Sequence, residues 1–116
     1  MRLALLAALV LTACTPTLTG PADPGGARLT VTRGEAFDTV RFDTGTQAVL
    51  GAKLTLTGRN LAVNDPNCAV DGSQIVCTLG ARPAERGYVL PVRGLLIVQA
   101  NFARPDGRSY DLITER

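Results

Sequence analysis

Residues 104–108 read Arg-Pro-Asp-Gly-Arg and lie between two runs in which apolar and polar side chains alternate. Proline and aspartate suit the central positions of a type I turn, and glycine suits the left-handed position of the bulge that completes a three-residue hairpin loop. That register sets Phe102 opposite Tyr110, Ala100 opposite Leu112 and Val98 opposite Thr114 on one face. The other face pairs Asn101 with Asp111, Gln99 with Ile113 and Ile97 with Glu115. An apolar inner face and a mostly polar outer face are the signature of an antiparallel sheet packed on one side. A two-residue loop would set Asp111 opposite Ala100 and expose the aromatic pair, so it is rejected.

A second hairpin is predicted around Cys68 and Cys77. Gly72-Ser73 suits a type II′ turn, and counting outward pairs Asp71 with Gln74, Val70 with Ile75, Ala69 with Val76 and Cys68 with Cys77. Ladder alternation makes the last pair a closely spaced one, compatible with a cross-strand disulfide. A redox or zinc pair is the competing reading; CxxC spacing is missing and the chain has no His. Elsewhere, 28–33 places Leu29 and Val31 on one face and 53–57 does the same for Leu54 and Leu56. Shorter strands are predicted over 37–42 and 47–50, and no segment after Cys14 carries a helical stripe. Turn signals every 8 to 12 residues predict an all-β fold, an immunoglobulin-like antiparallel β-sandwich of seven or eight strands over 28–116.

The amino terminus has a different character. Eleven of the first 13 residues are apolar, against 41 of the 102 after Cys14. Met1-Arg2 forms a short positive region, 3–11 an apolar core, and Thr12-Ala13 a small-residue site, which is signal-peptide anatomy over 1–13. A span would need about 20 apolar residues, and Thr12 and Pro16 interrupt this one. Leu11-Thr12-Ala13-Cys14 resembles the bacterial lipobox. Membership of the lipoprotein family implies cleavage before Cys14 and acylation of its sulfur, often with its amine. With about 0.8 kcal/mol for each buried CH₂, two or three chains would make a lasting membrane anchor. Thr15 and Pro16 replace the acidic residue that many inner-membrane lipoproteins carry there, so the resemblance favours an outer-membrane or surface location. Residues 15–27, rich in Pro, Gly and Thr, read as a flexible tether.

The segment CAVDGSQIVCTLGARPAERGYVLPV, 68–92, is similar to the end of bacterial surface repeat modules of immunoglobulin-like fold. Cys68, Val76, Cys77, Thr78, Leu79, Gly80, Gly87, Val89 and Val92 carry the match. Such modules act as adhesive or spacing units of envelope proteins, so the resemblance implies a structural or binding role.

Catalytic chemistry finds little support. Without His there is no Ser/His/Asp or Cys/His site, and after Cys14 serine occurs only at Ser73 and Ser109, beside predicted turns. Asp38 with Asp43, or Asp65 with Asp71, form possible carboxylate pairs, and Asp65, Asn67 and Asp71 a possible Ca²⁺ ligand set; each also suits a turn. No EF-hand or phosphate-binding glycine loop occurs, so neither a metal nor another cofactor is expected. The formal net charge of +2 gives no electrostatic case for nucleic acid. The strand around 89–98 holds consecutive apolar residues, and alternation puts Leu95 and Ile97 on the face opposite Leu96 and Val98. Leu95 and Ile97 are therefore the candidate contacts for an envelope protein partner, unless a second layer of the domain covers them. The function expected is a lipid-anchored, non-catalytic accessory or structural subunit. The alternative is a periplasmic carrier or chaperone-like lipoprotein for a small ligand or client strand.

Overall fold

The computed structural model describes residues 22–116; Cys14, the predicted signal peptide and most of the predicted tether lie outside the described residues. Seven strands follow in chain order: β1 (Arg28–Thr32), β2 (Asp38–Asp43), β3 (Val49–Ala62), β4 (Cys68–Asp71), β5 (Gln74–Arg82), β6 (Gly87–Ala103) and β7 (Ser109–Glu115). All pairings are antiparallel, and the described residues include no helix.

Strand β6 organises the two layers. Up to Val92 it pairs with β2, which pairs with β1; from Arg93 onward it pairs with β3, and from Ile97 onward with β7 as well. The result is a three-stranded layer β1-β2-β6 facing a five-stranded layer β4-β5-β3-β6-β7. The chain is an antiparallel β-sandwich, as its alternating runs predict. Val40, Phe42, Leu90 and Val92 of the first layer share one buried cluster with Leu54, Leu56, Val98, Ala100 and Phe102 of the second. The Phe42 and Phe102 rings meet across the layers with centroids 5.6 Å apart, and Tyr110 stacks beyond Phe102 at 6.0 Å.

Both predicted hairpins form in the predicted registers. Gly107 takes φ +90° and its N–H donates to the Arg104 carbonyl, closing the three-residue loop. Gly72 takes φ +65° while Ser73 keeps a negative φ, as a type II′ turn requires. Cys68 and Cys77 form a disulfide with their Cα atoms 3.9 Å apart.

Two expectations about segment boundaries are corrected. The short strands predicted over 47–50 and 53–57 are one strand, β3, whose register slips where Gly51 adopts φ +57°. The tether predicted to run to residue 27 ends earlier, because residues 23–27 pack on the domain. Gly25 is buried, and its carbonyl accepts the Thr46 N–H at 2.8 Å.

Candidate functional site

The end of the sandwich where residue 23 joins it is closed by a buried ion pair. The Arg104 side chain has no solvent exposure and that of Asp23 only 6 %. Nε and Nη2 of Arg104 donate to the two Asp23 carboxylate oxygens at 2.8 and 2.6 Å, and Nη1 donates to the Gln47 and Ala48 carbonyls at 2.6 and 3.3 Å. The guanidinium carbon lies over the Phe102 ring, 5.0 Å from its centroid, within cation–π range. Asp23 in turn accepts the Gly25 and Ala27 N–H groups. Burial pushes its carboxyl up, but the Arg104 hydrogen bonds, these two N–H groups and the Arg104 charge outweigh burial and hold it below the ordinary value. A Cβ at Gly25 would overlap the guanidinium, so a larger residue there would have to displace Arg104 from its partners.

The opposite end is shaped by a close crossing of β3 and β6. A Cβ on Gly58 would lie well inside 3.0 Å of the Gly94 carbonyl oxygen, and one on Gly94 would strike the Arg59 carbonyl oxygen. Gly94 also takes φ +78° and Asn60 φ +50°, so the two backbones turn sharply around each other. Along β6 the alternation then slips twice: Arg93 and Gly94 both face solvent, then Leu96 and Ile97 do. Each slip reverses the parity of inward residues, so Tyr88, Leu90 and Val92 point inward, then Leu95, then Val98, Ala100 and Phe102.

These slips correct the partner contact assigned to Leu95. It is 2 % exposed and belongs to the core, because the first bulge turns it inward where uninterrupted alternation would leave it outside. Ile97 is 39 % exposed, on the outer face of the five-stranded layer beside Thr57 and Glu115. The neighbouring Leu96, 48 % exposed, instead lines the end of the molecule at the crossing.

Two adjoining open grooves of about 290 and 300 Å³ lie there, sharing Phe37, Val92 and Arg93 as a common wall. The first continues past Val63, Asn64 and Pro91; the second passes Arg59, Leu96 and Arg116. Phe37 is 45 % exposed in the loop between β1 and β2. Arg116 pairs with the buried Asp38, which also accepts the Gly34 N–H at 3.2 Å, and the Arg116 N–H donates to Leu96. Arg59 and Arg93 form no ion pair or side-chain hydrogen bond among the described residues.

The acidic side chains singled out from sequence do not converge. Asp38 and Asp43 occupy opposite ends of β2, the latter paired with Arg41 at 3.0 Å. Asp65 turns the chain into β4 by accepting the Asn67 N–H at 2.8 Å, and it accepts the Tyr88 hydroxyl at 2.5 Å. Burial first, and then the adjacent Asp65 carboxylate, push that phenol up to about 12. Asp71 stands exposed at the tip of the β4–β5 hairpin. Among the described residues, no group of three or more Cys, Asp or Glu side chains is placed to hold a metal ion.

No family model and no curated protein matches the chain. Two solved structures resemble part of it: a GH20 exo-β-N-acetylglucosaminidase from Vibrio harveyi as an inactive mutant, and that enzyme in complex with N-acetylglucosamine. Each has a TM-score of 0.48 and 15 % identity, over 77 % of this chain and 17 % of the enzyme chain. A likeness so distant, to about a sixth of the enzyme's length, carries no functional assignment.

Proposed function

We propose that the protein is a lipid-anchored, non-catalytic component of a bacterial cell envelope, held by acylated Cys14 and acting by binding an envelope protein. The observation that supports this reading best is the separation of the two ends of the domain. The Asp23–Arg104 clamp fixes where the segment from Cys14 enters, and the crossing at Gly58 and Gly94 exposes apolar and cationic side chains at the other end. Residues 15–22 span at most about 28 Å when extended, which limits how far the domain stands from its anchor. The Cys68–Cys77 disulfide suits an exported compartment. Small hydrophobic carriers enclose their ligands, whereas both grooves described above are open, which favours binding of a protein surface over carriage of a small molecule.

The test is purification of the tagged full-length protein from native membranes, with mass spectrometry of its amino-terminal peptide and of co-purifying proteins. A diacylated or triacylated Cys14, release of Cys14→Ser to the soluble fraction and a stoichiometric envelope protein are expected. An unmodified Cys14 refutes the anchor; an acylated protein with no partner moves the reading to a small-ligand carrier.

A further inference from the structure

We propose that the groove at the β3–β6 crossing receives an extended acidic segment of a protein partner, its apolar side chains packing on Phe37 and Leu96 and its carboxylates on Arg59 and Arg93. The proposal deepens the binding reading above and rests on it. Phe37 and Leu96 are 45 % and 48 % exposed in one groove, an apolar surface with no covering element among the described residues. Around it stand cations from neighbouring strands: Arg59 follows Gly58 of β3, and Arg93 precedes Gly94 of β6. Because the glycine pair brings these backbones together, both arginines line the same groove. The two acidic residues in its wall are Glu35 and Asp38, and Asp38 is already engaged by Arg116. Set against Glu35, Arg59 and Arg93 still leave a surplus of one positive charge beside exposed apolar side chains, the complement of a segment that alternates carboxylate and apolar residues. Free inorganic phosphate would satisfy the cations but leave Phe37 and Leu96 in water. The outer face of the five-stranded layer also exposes Ile97 and Ile113, but Thr55, Thr57, Gln99 and Asn101 surround them, and that face names no occupant.

The test uses the full-length protein in detergent and three labelled eight-residue peptides: alternating glutamate and leucine, and its glutamine and lysine counterparts. The glutamate peptide is expected to bind about tenfold more tightly than the glutamine one, with a preference that fades as salt screens the charges. In Arg59→Glu/Arg93→Glu the preference is lost, and in Leu96→Ser both uncharged and acidic peptides weaken. The three substituted side chains are exposed, and a denaturation curve confirms that each variant is folded. Equal binding of the three peptides, or displacement of the acidic one by inorganic phosphate alone, overturns the proposal. If a native partner co-purifies equally with wild type and Arg59→Glu/Arg93→Glu, the groove assignment fails while the binding reading stands. If the wild type brings down no partner yet discriminates the peptides, the reverse holds.

Discussion

Replacing Arg104 by methionine tests whether the ion pair at the tether end holds the domain together. The side chain is wholly buried, forks onto Asp23 at 2.8 and 2.6 Å, and donates to the Gln47 and Ala48 carbonyls. Methionine fills much of the volume but leaves the Asp23 carboxylate buried and unpaired. Removing one member of such a pair costs about 3–5 kcal/mol. With a urea m-value of about 1–3 kcal/mol/M, the midpoint falls by at least about 1 M, and the melting temperature by more than about 10 °C. Asp23→Asn/Arg104→Met should lose less than the two single variants together, since neither then strands a charge. The pair also sets an acid limb. Asp23 has a folded pKa below its unfolded value, so its contribution is complete above the unfolded pKa, near 3.8, and is lost as pH falls through the lower folded value. Asp23→Asn should flatten that limb. Urea titrations of the full-length protein at several pH values measure both effects. An Arg104→Met unfolding free energy within about 1 kcal/mol of wild type, or an acid limb unchanged in Asp23→Asn, would refute the clamp as a stabilising element.

Tyr88 sets the alkaline limit. Its folded pKa of about 12 exceeds the unfolded value of 10, so its contribution is complete below pH 10 and lost as pH rises through 12; Tyr88→Phe should remove that loss in an alkaline melting series. Reducing the Cys68–Cys77 disulfide opens a ten-residue loop and should cost about 2.5–3 kcal/mol in the chain-entropy model, read as a lower urea midpoint; an unchanged midpoint contradicts it. Leu95→Ala should cost about 2–5 kcal/mol as a core truncation, whereas Ile97→Ala should fall within about 1 kcal/mol; the reverse order would restore Leu95 as a surface contact. Gly94→Ala meets both a left-handed backbone and the Arg59 carbonyl, so it should destabilise by more than about 2 kcal/mol, and a neutral result would mean the crossing relaxes freely.

The hairpins at 72–73 and 105–107 are legible from residues alone because turn chemistry and alternation fix the same register from two directions. Leu29, Val31, Leu54 and Leu56 face inward for the same reason. Leu95 is not legible in this way. Its direction depends on two bulges, and those depend on β3 and β6 meeting at Gly58 and Gly94, residues 36 positions apart. The clamp is hidden likewise: Asp23 lies in a Pro- and Gly-rich run that reads as linker, Arg104 beside a surface turn, and nothing local joins them across 81 residues. The grooves follow from the crossing, so the sequence signal that could have found them is the Gly94 interruption in an otherwise apolar strand.

The features that close the fold at its two ends use opposite physics. At the tether end a charge is desolvated and fully satisfied, and together with the Gly25 carbonyl bonded to Thr46 it ties residues 23–27 to the sheets. At the other end small residues let two backbones approach, and the bulges there turn Arg93 and Leu96 outward on either side of the inward Leu95. Arg59, Arg93 and Leu96 are thus exposed as a consequence of the packing that turns β6 from one layer into the other. Any substitution that fills the space at Gly58 or Gly94 should therefore disturb groove and core together, whereas Arg59 and Arg93 can be exchanged without touching the core. That asymmetry makes the arginines, and not the glycines, the positions at which binding and folding can be measured separately.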